Sequence, residues 1–481
     1  MKRDLVKNIN HEINSNNLTI IDIFLKINES RIRYFHFKSN QHLDKSFEGH
    51  TDFDLIVHKQ DCYRFEKLLL TFGFKRRVST FDKFYFGMED FLYYDWKNER
   101  FHHFHIHYDL LFGDKYSKNQ HFSNIEYWFD NTIIHDKYPI IIIIPELEIV
   151  LLTLRILTKH KIFYNLKDQL KNVLKKYNYT LKYLFKEYEY LLLNIDENKL
   201  ELLLTDNFSD IKDLIKEFKR KHKQNSLSFF SILWMKKRFN KYRIYDRVDL
   251  ATNNKFKKAR LMIKNYSSCA LPNNGKVISF IGPDGAGKTT LTKDIEMWLN
   301  YKLNAKYIYL GQVKKSTAKT LTGLAFIILN LFPFAKIKNF FKDYRHIINA
   351  NYRKNTIDAS RKMTHRGIYI ITDRFPLREF WSMHEPMDGP RLPQDSILHN
   401  KEFEIYNSIT RYPDLTIILN VPIEISIQRK PSLHNNIKTV TQIKNKILAV
   451  SKLEHIPNSL IIDGSKDYEI VRKKIKQFIF V

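Results

Sequence analysis

The chain has 481 residues, carries 80 Lys/Arg against 52 Asp/Glu for a formal net charge of +28, and is 43% hydrophobic. That length and apolar content exclude a disordered chain and call for more than one core, while the charge suits anionic partners such as nucleotides, nucleic acid or acidic lipid. The two cysteines, Cys62 and Cys269, lack metal-ligand spacing, which excludes a disulfide framework or a cysteine zinc site and fits a reducing cytosol.

The opening MKRDLVKNINHEINSNN is charged with no apolar stretch behind it, against a secretory signal, and no apolar run reaches the roughly 18 residues of a spanning helix. From Leu18 to Leu157 strand and helix patterns mix: TDFDLIV and FHHFHIHYDLLF alternate at period two, and DCYRFEKLLLTFGF repeats at helical period. Pro145 separates the apolar run PIIIII from a helix that it can begin, with Glu146 and Glu148 in the first turn where the helix dipole favours acids. Residues 160 to 215 read as helices rich in Leu, Tyr and Lys. Between Lys216 and Lys264 stand 16 Lys/Arg against 3 Asp/Glu, a basic linker that reads as a solvated connector, with peripheral contact to acidic membrane or nucleic acid as its functional alternative.

After Pro272 five short apolar runs, KVISFIG, KYIYLG, IYIITD, LTIILNV and SLIIDG, are spaced by helix-length segments, the pattern of a parallel sheet covered on both faces. LTGLAFIILNLFPFA, at 321 to 335, is too short to span a bilayer and reads as a buried helix between the second and third strands, with membrane-surface docking as the alternative. The expected organisation is an α/β domain over 1–160, a helical and basic connector over 161–272, and a phosphate-binding α/β domain over 273–481.

Gly282, Gly287, Lys288 and Thr289 satisfy G-x-x-x-x-G-K-[ST] between a predicted strand and a predicted helix. In that setting a curled backbone, including Gly285 and Thr290, turns its N–H groups and a helix N-terminus toward phosphates. Lys288 would reach the β- and γ-phosphates and the Thr289 hydroxyl would meet Mg2+. The full stretch GPDGAGKTT resembles the loop of the thymidylate kinases, and the resemblance runs across 276–470: RGIYIITDRF is similar to that family's third strand, YPDLTIILNVPIEISIQRK to its fourth strand and lid, and SLIIDGSKDYEIVRKKI to its closing strand, adenine-side loop and last helix.

The resemblance implies a kinase that uses ATP and Mg2+. Asp373 would lie by the metal and the reacting phosphates, and Arg374 and Arg353 would hold the acceptor's phosphate, Arg374 in a two-pronged grip. Asp284 would accept a hydrogen bond from the acceptor sugar. Some members place an arginine after that acid; here it is Gly285, so the transition-state cation is expected from the lid, at Arg429 with Lys430 behind it. Arg429 could equally complement a helix C-terminus. After Asp-Arg the family has a base-reading Ser and Ala-Tyr-Gln, whereas this chain reads DRFPLREFWSMHEPMDGPRLP. MDGPRLP resembles a subgroup of kinase-like proteins associated with cell-surface polysaccharide genes, so the expected acceptor is a nucleoside monophosphate or related small phosphorylated molecule, with thymidylate itself disfavoured.

In the first half, Asp52 and Asp54 share one face of a strand and can share a divalent metal, with Asp109 expected as a third carboxylate. This arrangement resembles the nucleotidyltransferase superfamily, which aligns an attacking oxygen with an α-phosphate through paired magnesium ions. Ser39 falls at the turn, but Lys38-Ser39 replaces the usual glycine turn. Residues 30 to 160 also resemble a group of uncharacterised nucleotidyltransferase-like proteins. His103, His105 and His107 share the Asp109 face; they offer ligands for metal or phosphate, or simply a wet face, which is the expectation. The expected function is therefore an ATP-dependent phosphotransferase fused to a nucleotidyltransferase. A nucleotide-gated binding module and a nucleic-acid-processing enzyme are the alternatives, the latter without any specific nucleic-acid motif.

Overall fold

Phe53, Leu55 and Val57 are all fully buried on one side of a strand, while Asp54 and Ile56 face the other, and a seven-stranded mixed sheet is built outward from that alternation. In this computed structural model the described residues are 18–77, 87–112, 120–121, 124–158, 163–188, 201–205, 211, 213–215, 217, 271, 275–311, 335–365, 367–381, 389–409, 411–431 and 456–480. They divide into two compact units, one holding the described residues up to 217 and the other those from 271 onward.

The first unit begins with α1 (Ile20–Glu29), started by a reciprocal capping box between Thr19 and Asp22. There follow β1 (Tyr34–His36), α2 (Leu43–Phe47), β2 (Phe53–Val57), α3 (Cys62–Thr71), β3 (Lys75–Arg77), β4 (Met88–Asp95) and β5 (Arg100–His107). A small ladder pairs β6 (Leu111–Phe112) with β7 (Gln120–His121). The unit continues through α4 (Ile125–Asp130), β8 (Thr132–Ile134), β9 (Ile141–Ile143), α5 (Pro145–Thr158), α6 (Phe163–Tyr177) and α7 (Leu181–Tyr188). The sheet order is β3-β4-β5-β2-β1-β9-β8, with β2 and β5 parallel neighbours.

Two apolar cores sandwich this sheet. Phe24 of α1 and Phe65 and Leu69 of α3 pack with Phe53, Leu55, Phe104 and Ile106 on one face. On the other, Phe35 and Ile56 pack with α5, α6 and α7. Helix α5 is apolar nearly all round because it is covered on nearly all sides. Leu166, Leu170 and Leu184, which the sequence reading assigns to a connector, therefore complete a core of the first unit. Most of the basic linker and the apolar stretch before Ala335 lie outside the described residues. No described helix is long and apolar enough to cross a membrane.

Glu148, in the first turns of α5, is buried and accepts hydrogen bonds from Asn40 N at 3.1 Å and Asn40 Nδ2 at 3.2 Å. Burial pushes its carboxyl from the ordinary 4.5 up to about 7. A carboxyl raised by folding binds its proton more tightly in the native state, so the stability it contributes is complete below the unfolded value and is lost as pH rises through the folded one. Between those limits the first unit is expected to lose about 1–3 kcal/mol through this group. Denaturation midpoints across that pH interval should show a slope in the native protein that Glu148→Gln flattens.

The second unit alternates strand and helix: β10 (Val277–Ile281), α8 (Lys288–Asn300), β11 (Ala305–Tyr309), α9 (Ala335–Thr364), β12 (Tyr369–Asp373), α10 (His399–Asn407), β13 (Leu415–Asn420), α11 (Ile423–Arg429), β14 (Ser459–Asp463) and α12 (Tyr468–Phe480). The five predicted strands form one all-parallel sheet in the order β11-β12-β10-β13-β14. Every residue of β10 is buried, as the central strand of a covered parallel sheet must be. The chain leaves β10 toward one side to form β11 and β12, then crosses to the other for β13 and β14. That reversal opens a crevice at the strands' carboxyl ends, beside the loop after β10.

Candidate functional site

Register brings the loop ends of the second unit to one edge. Tyr309 of β11 and Phe280 of β10 both pair with Asp373, the last residue of β12, while Asn420 of β13 pairs with Asp463 of β14. The loop between β10 and α8 curls over this edge with Gly285 at φ +85° and Gly287 at φ +84°, left-handed values that favour glycine. Together they enclose a cleft of about 690 Å³, lined by residues 284–291, Tyr309, Asp373, Arg374, Arg429, Lys430, Gly464, Lys466, Tyr468 and Val471. Its size suits a nucleotide-sized ligand. Five of these side chains are cationic and two are carboxylates, a balance that suits a phosphate chain.

Lys288 is buried and folds back on its own loop, donating to the carbonyls of Gly282 at 2.9 Å and Pro283 at 2.7 Å, with Asp284 Oδ1 at 3.8 Å. Thr289 Oγ1 donates to Asp373 Oδ2 at 2.6 Å, joining the first turn of α8 to the end of β12. Asp373 Oδ1 is buried with no hydrogen-bond partner among the described residues, and burial followed by the Asp373 charge pushes the adjacent Tyr307 hydroxyl up to about 12. A carboxylate oxygen left over beside a threonine hydroxyl is a donor set that fits a hard divalent cation such as Mg2+.

Arg374 stands next, at φ +79°, a backbone conformation that costs a side-chain-bearing residue about 1–3 kcal/mol and persists only when the surroundings hold it. Its N–H is fixed to Phe280 O at 3.0 Å and its Nη2 donates to Asp284 Oδ1 at 2.7 Å. The strain aims the guanidinium across the crevice at the loop. Asp284 and Arg374, far apart in sequence, thus form one charged wall.

Gly285 explains why an arginine is absent from its position. A Cβ there would overlap the carbonyl of Ser426 in α11, whose hydroxyl also donates to Asp284 O. Gly285→Ala is expected to destabilise the second unit by about 2–4 kcal/mol through the left-handed φ and this overlap, and to weaken phosphate binding in parallel. Thermal melts with and without inorganic triphosphate would measure both.

Two further predicted arginines sit differently from one another. Arg353 is buried and does not line the cleft; it donates to Leu310 O at 2.8 Å and to the Tyr406 hydroxyl at 2.5 Å, with its guanidinium over the Tyr406 ring. It ties α9 to α10 and the end of β11, because a guanidinium this deep must spend its donors on protein acceptors. Arg429 does line the cleft, but its Nη1 donates to Gly464 O at 2.9 Å, on the rim after β14. It ends α11, so the helix-terminus reading also describes it. Sequence reasoning missed Tyr309, Lys466 and Tyr468 as lining residues; only the place of Tyr309 at the end of β11, and of Lys466 and Tyr468 shortly after β14, could have signalled them.

The first unit gathers a second polar cluster on the face of β2 and β5 opposite Phe53 and Phe104. Asp54 pairs in register with His105. Lys38 Nζ lies 2.5 Å from Asp54 Oδ1 and 3.2 Å from His107 Nε2, and the Asp54 carboxyl is held well below its usual range against burial, chiefly by Lys38 and then by His107. His103 Nδ1 meets Asp52 Oδ1 at 2.9 Å, and Asp90 Oδ1 on β4 meets both His103 Nε2 at 3.0 Å and His105 Nδ1 at 2.6 Å. Two expectations change here. Asp109 lies beyond the end of β5, paired with Lys59 at 3.3 Å, because regular alternation stops at His107; Asp90 is the third carboxylate instead. The histidine face is wet only in part: His103 and His107 are buried, while His105 and Asp54 keep side-chain exposures of 22% and 25%. Ser39, where a glycine was missed, adopts φ +56° nonetheless.

No family model matches the chain. An uncharacterized ATP-binding protein of Escherichia coli strain K12, YghR, is 23% identical over 231 residues, covering 42% of this chain and 86% of its own length. A probable thymidylate kinase of Saccharolobus solfataricus is 26% identical over 206 residues, covering 42% of this chain and 95% of its own length. Among solved structures, deoxyadenosine kinase from M. mycoides with bound dATP has 16% identity, covers 43% of this chain and all of its own, and has a TM-score of 0.30. The chain is homologous to thymidylate-kinase-like P-loop kinases over about 42% of its length.

Proposed function

We propose that the chain is an ATP-dependent phosphotransferase whose second unit holds the triphosphate on the Gly282–Thr290 loop and passes the γ-phosphoryl to a nucleoside monophosphate or related small phosphorylated acceptor. One observation carries this reading: Lys288, Thr289, Asp373, Arg374 and Asp284 converge on a single crevice at the ends of β10 and β12. The printed names of the relatives, an ATP-binding protein and thymidylate kinases, support it.

In this reading the loop N–H groups and Lys288 bind the β- and γ-phosphates, and Thr289 and Asp373 hold Mg2+, which when bound neutralises charge that develops on the transferring group. Arg374, braced by Asp284, faces the acceptor's phosphate. Arg429, held on Gly464, serves the nucleotide's outer rim, and Lys430 is a second lid cation at the cleft among the described residues. The described part of MDGPRLP is pinned by buried Glu402, which accepts from Arg391 N and Leu392 N at 2.8 Å each, so an ordered loop stands where the base-reading element is missing. Sugar phosphates of cell-surface polysaccharide metabolism therefore belong in the acceptor screen beside nucleoside monophosphates.

The test is acceptor-dependent ADP release from ATP and Mg2+ across both compound classes. ATP consumption that rises only with a macromolecule would replace the kinase by a nucleotide-gated module. For the first unit, nucleotidyl transfer is a second reading, supported by the left-handed turn at Ser39 and the contact of its neighbour Lys38 with Asp54. Nucleotide transfer from labelled ATP that survives Asp52→Ala with Asp54→Ala would remove it.

A further inference from the structure

We propose that Asp54, His105 and His107 of the first unit bind one divalent transition-metal ion of the zinc class, and that the Lys38 ammonium occupies the ion's place when it is absent. The inference rests on the side chains of β2, β4 and β5 and on neither transfer reaction. One ligand atom from each of the three residues lies within 4.8 Å of the other two, and His107 Nε2 stands 3.5 Å from Asp54 Oδ1. Two ligands of one zinc ion, each at about 2.0–2.1 Å, are separated by up to about 4 Å, so small side-chain rotations close the set. The strands supply the rigidity: Asp54 and His105 are register partners, and His107 follows two residues on, on the same face.

The donor chemistry selects the ion. The expected set of three carboxylates would have favoured magnesium, which takes oxygen ligands. With Asp109 drawn off to Lys59, the site offers two imidazoles and one carboxylate, a set suited to zinc and its neighbours and poor for magnesium. Asp90 adds the outer support usual for ligating histidines: its Oδ1 meets His105 Nδ1 at 2.6 Å, which leaves Nε2 as that ring's other ligand atom. Asp54 and His105 are partly exposed, with side-chain accessibilities of 25% and 22%, so an ion can enter and keep an open coordination position.

Lys38 is the second observation pointing to a cation. Its ammonium contacts Asp54 Oδ1 and His107 Nε2 together, the position a cation shared by those two ligands would take. A metal therefore competes with a resident positive charge, and removing that charge strengthens binding. The neighbouring group of Asp90, His103 and His105 is the rival site, but Arg77 Nη1 already stands 3.3 Å from His103 Nε2 and 3.8 Å from Asp90 Oδ2.

The test uses tag-free, nucleotide-free full-length protein titrated with Zn2+ alone, and with Co2+ read by its visible absorption. One equivalent is expected to bind, with His105→Ala and His107→Ala each lowering affinity at least about 100-fold and Asp90→Asn lowering it about 10–100-fold. Lys38→Met should tighten binding about tenfold or more, a gain that no merely misfolded variant would show. His103→Ala should change it only a few-fold. Zinc affinity unchanged in both His105→Ala and His107→Ala, loss on His103→Ala instead, or no gain on Lys38→Met would overturn the assignment.

Discussion

Lys288→Ala is expected to lower acceptor-dependent phosphoryl transfer by about 10²–10³-fold, the range seen when a single positioned donor to a developing charge is removed. The lysine donates to Gly282 O and Pro283 O, two carbonyls of its own loop. A triphosphate in the loop would draw the ammonium off those carbonyls, and its interaction with the γ-phosphoryl strengthens as charge shifts during transfer. The loss should therefore fall on kcat more than on KM. Lys288→Met, which keeps most of the buried volume, should lose as much activity as the alanine with less effect on stability. Lys288→Arg should not restore it, because a planar fork replaces a compact point charge in a buried position. Steady-state kinetics with a common acceptor, alongside thermal melts of each variant, would decide. Retained kcat in the methionine variant would remove the loop from the chemistry.

The phosphate loop and all five strands of the second unit were legible because each is a local signal: a short apolar run, then glycines, then Lys-Thr. Strand order was not, since it depends on which side of β10 each crossover packs, and so neither was the pairing of Asp284 with Arg374. Arg353 and Arg429 show the limit of position alone. Both stand near the places a resemblance assigns, yet a guanidinium takes the acceptors that its depth and neighbours provide, Leu310 O and Tyr406 in one case and Gly464 O in the other. In the first unit the period-two run through His103, His105 and His107 was read correctly as a strand, but of the wet face expected there only the His105 part keeps exposure. Alternation says which residues share a face; it says nothing of what covers that face, and here the α5 side covers part of it. Asp90 escaped notice because Met88–Asp95 shows no period-two alternation, and only the antiparallel register of β4 on β5 brings it to His105.

Asp373→Asn is expected to separate stability from activity in opposite directions. The carboxylate is 2% exposed, and one of its oxygens has no hydrogen-bond partner among the described residues. Burying a charge with an unsatisfied oxygen costs the folded state, so a neutral amide of the same shape, still able to accept from Thr289 Oγ1, should leave the thermal midpoint equal or higher. Phosphoryl transfer should nonetheless fall by about 100-fold or more, because the amide no longer supplies a charged ligand for Mg2+ beside the threonine hydroxyl. The sharpest readout is nucleotide affinity with and without magnesium: the native protein should bind ATP more tightly when the metal is present, and the variant should bind it equally in both conditions. A residue whose role was to hold β12 against α8 would behave in the reverse way, losing stability on neutralisation while keeping its magnesium response, and that outcome would take Asp373 out of the site.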